Sequence, residues 1–175
     1  SICQRASQLI NDGDTILIDA GTTTIHLIEY LKEKKDLTIV TNALNVVNEL
    51  LKYELPFELV FIGGMMKQRT LSMVGPLTEA SLERIRVDKA FIATNGINLE
   101  DGLTTPDMTE ARVKQKMIEI SQQTILLTDN SKFDQVFFAK IADLEEIDRV
   151  ITDQIDDSDK EEYQKIGLDI IEAMS

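Results

Sequence analysis

The sequence predicts an α/β fold built on a doubly wound, mostly parallel β-sheet. Three observations carry that prediction. Short apolar runs recur along the chain without the polar–apolar alternation of a half-exposed strand, the pattern of strands covered on both faces. Each run closes on small polar residues. Between the runs, apolar residues fall at helical spacing, so strands alternate with helices as in βαβ units. A length of 175 residues suits one domain, 1–175, with a core of its own.

Taken in order, the elements are these. The chain opens without a methionine, and Ile2, Ala6, Leu9 and Ile10 are spaced as in a helix, so further sequence is expected upstream. Thr15-Ile16-Leu17-Ile18 is a strand that closes on Asp19-Ala20-Gly21-Thr22, and Ile25, Leu27, Ile28 and Leu31 then mark a helix. Leu37-Thr38-Ile39-Val40 closes on Thr41-Asn42, and a helix follows through Val46, Val47, Leu50 and Leu51. Leu59-Val60-Phe61-Ile62 closes on Gly63-Gly64, and Ala90-Phe91-Ile92-Ala93 on Thr94-Asn95-Gly96. Val113, Met117 and Ile118 mark a helix before Thr124-Ile125-Leu126-Leu127, which closes on Thr128-Asp129-Asn130. Arg149-Val150-Ile151 closes on Thr152-Asp153. The acid-rich stretch from Asp143 to Glu162 is expected to be a solvated face and a helix start, where acids favour the dipole.

Composition narrows the function. Thirty-one acidic against eighteen basic side chains give a net charge of −13, a field that repels nucleic-acid and anionic-membrane phosphates. An anionic ligand must therefore be held locally, by backbone amides and one or two placed cations. One cysteine, Cys3, forms no internal disulfide and suits a reducing cytoplasm; with one histidine, His26, it does not support a Cys/His zinc site, and neither residue is marked as catalytic. No apolar run approaches the ~20 residues of a membrane span. No metal or cofactor is expected.

In a parallel α/β sheet, ligands bind beyond the carboxyl ends of the strands, and here those ends carry Asp, Gly, Thr and Asn. Asp19-Ala20-Gly21-Thr22-Thr23-Thr24 is a strand-to-helix turn with the unpaired amides and hydroxyls that suit a phosphate, although an ordinary βα turn with a Thr cap accounts for the same residues. It lacks the Lys of a P-loop and the spaced glycines of a dinucleotide fingerprint. Asp19 would repel a phosphate and should face sugar hydroxyls or a backbone amide. Gly63-Gly64 makes either a tight turn or a close main-chain approach to a ligand, with Lys67 and Arg69 nearby as surface charges. Asp129 and Lys132 offer an acceptor for hydroxyls and a cation for a phosphate, or else an ordinary salt bridge. Asp101-Gly102 signals a turn, Asp107 and Glu110 can form a capping box, and Thr104-Thr105 could edge a pocket.

In order along the chain stand Asp19-Ala20-Gly21-Thr22-Thr23-Thr24, Val40-Thr41-Asn42, Ile62-Gly63-Gly64, Val74-Gly75, Asp88-Lys89-Ala90-Phe91, Asn95-Gly96-Ile97, Gly102-Leu103-Thr104-Thr105 and Asp129-Asn130-Ser131-Lys132-Phe133. No single motif is specific, but the ordered set, spread over nearly the whole chain, resembles the C-terminal effector domain of DeoR-family transcriptional regulators. The resemblance implies a Rossmann-like fold similar to ribose-5-phosphate isomerase. It also implies a homo-oligomeric, cytoplasmic repressor of sugar metabolism that senses a phosphorylated sugar and meets operator DNA through an upstream winged helix-turn-helix domain. Carried over by position, it implies a ligand site at Asp19, Gly21, Thr22, Thr23, Thr24, Asn42, Gly63, Gly64, Asn95, Asp129 and Lys132. Thr104-Thr105-Pro106-Asp107 resembles the fructose-operon repressors, implying fructose 1-phosphate with tagatose phosphates close behind.

Two other readings compete. A sugar-phosphate isomerase would need a carboxylate base beside C2 and a group to stabilise the enediolate. Where the isomerases carry an acidic Asp-Gly-Ala-Asp-Glu stretch, this chain has Ile92-Ala93-Thr94-Asn95-Gly96, leaving Glu110 and Asp129 as acids. A structural oligomerisation module with a vestigial cleft would leave Asp129 and Lys132 beside the Thr loop unexplained.

Overall fold

A computed structural model describes residues 1–173 of the chain. From the amino terminus run α1 (Ile2–Ser7), β1 (Thr15–Ile18), a 3-10 helix (Thr24–Leu31), β2 (Thr38–Thr41), α2 (Leu44–Lys52) and β3 (Glu58–Phe61). Then come β4 (Met65–Lys67), β5 (Ser72–Val74), α3 (Pro76–Glu83), β6 (Val87–Ile92), β7 (Gly96–Asn98), β8 (Gly102–Thr105) and α4 (Met108–Glu119). The last part comprises β9 (Ser121–Leu127), a 3-10 turn (Asn130–Lys132), β10 (Ala139–Ala142), a second 3-10 turn (Leu144–Glu146), β11 (Arg149–Thr152), α5 (Asp157–Lys165) and β12 (Asp169–Glu172).

All six predicted runs are strands of one sheet, joined by β12 in the order β12-β11-β9-β6-β1-β2-β3, with every neighbouring pair parallel. The order runs outward from the middle in two directions, so it reverses between β1 and β6. That reversal is where the connections on the two sides diverge and leave a crevice at the strand ends.

Side chains of each strand point alternately to opposite faces. Leu17, Val40, Ala90, Ile92, Leu126 and Val150 enter one buried cluster with α3, α4 and α5, whereas Ile16, Ile18, Ile39, Phe91, Ile125 and Ile151 enter another with α1, α2 and the first 3-10 helix. This two-sided burial is why the strands read as continuous apolar runs. The edge strand β3 departs from it: Val60 and Phe61 are 37% and 41% exposed, because an edge strand has a neighbour on one side only.

Two small antiparallel sheets, β4–β5 and β10-β8-β7, were not anticipated. Their strands are only three or four residues long, too short to show a period. At the start of α4, Asp107 accepts from the amides of Thr109 at 2.8 Å and Glu110 at 3.1 Å, which is half of the expected capping box. The reciprocal half is absent because the Glu110 side chain turns elsewhere. Asp157 and Asp159 occupy the first turn of α5, the helix start expected in the acidic stretch. Among the described residues, no helix is long and apolar enough to cross a membrane.

Candidate functional site

The carboxyl ends of β1, β2, β6 and β9 open into one cavity of about 270 Å³, placed over the reversal between β1 and β6. It is small beside the roughly 300–1,000 Å³ of many ligand sites, which suits a compact polar molecule. Asp19 and Gly21–Thr23 come to it from β1, Asn42 from β2, Thr94 and Asn95 from β6, and Asp129 and Lys132 from β9. Thr70 and Ser72 on the β4–β5 hairpin, and Glu110 and Lys114 on α4, close it from the side.

Asp19 is buried and faces no free hydroxyl. Its carboxylate accepts from the amides of Ala20 at 2.8 Å and Ala93 at 3.1 Å, and it is ion-paired to Lys114. Lys114 donates a further bond to the Ala93 carbonyl at 3.0 Å. The pair thus ties the β1 tip, the β6 tip and α4 together. Of the two expectations for Asp19, the backbone amide is the one realised.

The loop that follows is drawn in tightly. A Cβ at Gly21 would lie 2.6 Å from the Ala93 Cβ, so only glycine lets the loop approach the β6 tip this closely. Thr24 was expected at the ligand but is fully buried, with its hydroxyl donating back to the Asp19 carbonyl at 2.6 Å. It folds the loop and does not line the cavity. The amides and hydroxyls of Thr22 and Thr23 and the amide of Gly21 have no partner among the described residues and stand at the start of an eight-residue 3-10 helix. Cys3 in α1 donates to the Thr23 carbonyl at 3.0 Å; burial pushes its thiol up to about 11, so it is an inert packing group at neutral pH. His26 is exposed and outside the cavity.

At the β9 tip, Asp129 folds onto its own turn, accepting from the Ser131 amide at 2.9 Å and from the Ser131 hydroxyl. Lys132, half-buried at the cavity wall, has no carboxylate within 4 Å among the described residues. The ordinary Asp129–Lys132 salt bridge is therefore not formed. Lys67 pairs with Asp107 at 2.8 Å, and exposed Arg69 also lies outside the cavity. The Lys67 ammonium and the Thr109 hydroxyl hold the Asp107 carboxyl well below the usual carboxylate range.

Gly63 and Gly64 do not line the cavity, contrary to expectation. Gly64 has φ +149°, and a Cβ there would come within 1.9 Å of the Thr78 hydroxyl and 2.8 Å of the Val74 carbonyl. These glycines make a packed turn onto α3. Thr104 and Thr105 are buried in β8 and do not edge the cavity; Thr105 donates to Asn95 Oδ1 at 2.7 Å and fixes that amide.

Lys114, Glu110, Thr70 and Ser72 line the cavity but were not assigned to it from the sequence. Lys114 carries the clearest signal, since it occupies the buried stripe of α4 with Ala111, Val113 and Met117, where a lysine needs a partner. Glu110 lies one turn earlier on that stripe; the sequence marks it as a cap and as one of two acids left for an isomerase, but not as part of a ligand site. Thr70 and Ser72 sit in the unpredicted hairpin and carry no local signal.

Residues 1–154 match the family model described as the DeoR C-terminal sensor domain. The chain is 38% identical over 152 residues to an uncharacterised helix-turn-helix-type transcriptional regulator, FruR, of Bacillus subtilis, a match covering 87% of this chain and 60% of the relative. It is 37% identical over 165 residues to a lactose phosphotransferase system repressor of Staphylococcus epidermidis, covering 93% of this chain and 64% of that one. The chain therefore spans 60% and 64% of the length of these curated relatives. Among solved structures it resembles ribose 5-phosphate isomerase A of Methanocaldococcus jannaschii, with TM-score 0.53, 16% identity, and 75% of this chain and 52% of that one covered. It also resembles eIF2B delta of Chaetomium thermophilum, with TM-score 0.58, 20% identity, and 85% and 53% covered. Two such different proteins share the fold, so function must be argued from the site.

Proposed function

The chain belongs to the DeoR C-terminal sensor-domain family, and on that premise we propose that it binds a phosphorylated sugar at the carboxyl ends of its parallel strands, without turning it over, as the effector-sensing part of a transcriptional repressor of sugar metabolism. The observation that carries this reading is Lys132, a cation without a carboxylate partner, facing the same cavity as the open amides of Gly21, Thr22 and Thr23. In a protein of net charge −13, that convergence is a local site for a phosphate. Asn42, Asn95 and Asp129 supply hydroxyl partners, while Asp19 and Thr24 hold the loop in shape. The FruR and lactose-system names of the relatives support a sugar effector, and we take fructose 1-phosphate as the first candidate.

Operator DNA is engaged, on this reading, through a winged helix-turn-helix segment outside these residues, because a −13 surface offers no footprint for a phosphate backbone. Exposed apolar residues at the β3 edge and the hairpin, Val60, Phe61, Met65 and Met66, support a homo-oligomer.

A second reading, an aldose–ketose isomerase, is favoured by one observation: Glu110 is a carboxylate in the cavity with no cation within 4 Å among the described residues. Against it, Asp19 is neutralised by Lys114, and the β6 tip carries Thr94 and Asn95 where a proton-transfer carboxylate is needed. A thermal-shift screen of sugar phosphates with NMR of the same mixtures tests both. A ligand at 100 times its Kd adds about 2.7 kcal/mol of stability, a clear rise in melting temperature. Product formation that tracks the protein overturns the sensor reading.

A further inference from the structure

The unsatisfied groups of the cavity are not scattered. On the β1 and β9 side they are mainly donors, the amides of Gly21–Thr23, two Thr hydroxyls and the Lys132 ammonium, with the second carboxylate oxygen of Asp129 as the one acceptor among them. On the β2, hairpin and α4 side the open atoms are acceptors. Asn42 is 3% exposed, and its amide nitrogen donates to the Met73 carbonyl at 2.8 Å. That bond fixes the amide orientation and leaves Oδ1 buried with no donor at all, the sole such side-chain atom among the described residues. A buried acceptor left this way is costly until something donates to it.

Glu110 extends the same surface. Its side chain turns from the α4 cap toward the cavity, where Oε1 accepts from the Thr70 hydroxyl at 2.9 Å. The Thr70 and Ser72 hydroxyls are 2.7 Å apart. A hydroxyl has one proton. With Thr70 donating to Glu110, Ser72 must donate to Thr70, so neither has a proton left to offer. What remains unsatisfied at this wall is the second carboxylate oxygen of Glu110, the lone pairs of Ser72 and, beneath the cavity surface, Asn42 Oδ1. Lys114, one helical turn beyond Glu110, is committed to Asp19 and makes no ion pair with Glu110.

We propose that this acceptor wall is a specificity device: it takes the uncharged, hydroxyl-bearing end of a monophosphorylated sugar, and Glu110, positioned by Thr70, excludes ligands with a second anionic group. The inference rests on the phosphorylated-sugar reading above and adds what that reading leaves open, namely which phosphorylated sugars are refused. A sugar hydroxyl has a proton to donate to the open carboxylate oxygen of Glu110. A second phosphate or a sugar carboxylate brings only acceptors and places like charges together without water between them, which costs several kcal/mol at an interface.

Titration calorimetry on the chain as it stands, with fructose 1-phosphate, fructose 6-phosphate and fructose 1,6-bisphosphate, tests the inference. The expected result is that at least one monophosphate binds about tenfold or more tightly than the bisphosphate. Glu110→Gln keeps an acceptor for Thr70 and removes the charge, and it should bring the ratio to within about threefold, mainly by strengthening bisphosphate binding. Equal binding of mono- and bisphosphate by the unaltered protein overturns the acceptor-wall inference alone, leaving the sensor reading in place, and requires no variant. A ratio unchanged in a Glu110→Gln protein of normal melting temperature removes Glu110 from the role. Failure of every phosphorylated sugar to bind overturns both readings together.

Discussion

Strands β1 and β9 flank β6, and each ends in an aspartate with a lysine nearby, yet the two pairs are opposites. At the β1 tip, Asp19 and Lys114 are both buried, paired to each other and bonded to the β6 backbone. At the β9 tip, Asp129 is occupied by its own turn, and Lys132 faces the cavity without a carboxylate partner. The difference follows from where each lysine comes from. Lys114 arrives from a helix packed across the sheet and is desolvated there, so it requires a countercharge. Lys132 lies three residues beyond its aspartate on a tight turn at the rim, where water still reaches it. One tip is a clamp that shapes the loop; the other keeps a charge available for a ligand.

Substitutions that break the clamp should have the largest effect. Lys114→Ala leaves the Asp19 carboxylate buried without a cation, a loss of roughly 3–5 kcal/mol. For a domain of this size that lowers the ligand-free melting temperature by roughly 6–20 °C. Calorimetric melting checks it, and a melting temperature within a degree or two of the parent would make the two tips equivalent. Lys132→Ala should do the reverse. Ligand-free stability should stay within about 0.5 kcal/mol, while affinity for a phosphorylated sugar falls on the order of 10- to 100-fold, the worth of one charge-assisted hydrogen bond.

Asp129→Ala sharpens the contrast at smaller scale. It removes the acceptor for Ser131, a cap worth about 1 kcal/mol, and should blunt discrimination among sugars that share the phosphate. Urea melts and competition binding separate the two effects. The smallest effect expected is on a third pair, Lys67 with Asp107, at the hairpin outside the cavity. Because the Asp107 carboxyl is held below its unfolded value, its contribution is full above about pH 4 and is lost as pH falls below that. Lys67→Ala should therefore flatten the acid limb of a stability–pH curve by lowering stability slightly at pH 7, where the pair contributes in full, while leaving the acid end and ligand affinity nearly unchanged. A loss of sugar-phosphate binding in that variant would move the phosphate cation from Lys132 to the hairpin.

The parallel sheet was legible because burial on both faces writes itself into composition: Ile16-Leu17-Ile18 and Ile125-Leu126-Leu127 have no polar face to show. β3 reads like the others although it is exposed, since edge position is set by strand order and not by the run itself. The strand tips were legible for a related reason, because small polar residues after an apolar run mark where a strand leaves the core. Gly63-Gly64 met that criterion and still lies outside the cavity, turned onto α3 by Thr78, a contact fifteen residues away in sequence.

By itself, the sequence determined the fold class, the end of the sheet where the cavity opens, and the donors at Gly21–Thr23 and Lys132, all of which follow from periodicity and local chemistry. Only the tertiary structure decided which charges are left available. Whether Asp19 faces a ligand or a lysine depends on a partner 95 residues away, and whether Glu110 caps a helix or lines a cavity depends on a hairpin 40 residues before it. Electrostatic pairing is a property of distance in space, and distances of a few ångströms between remote segments exist only once the chain has packed.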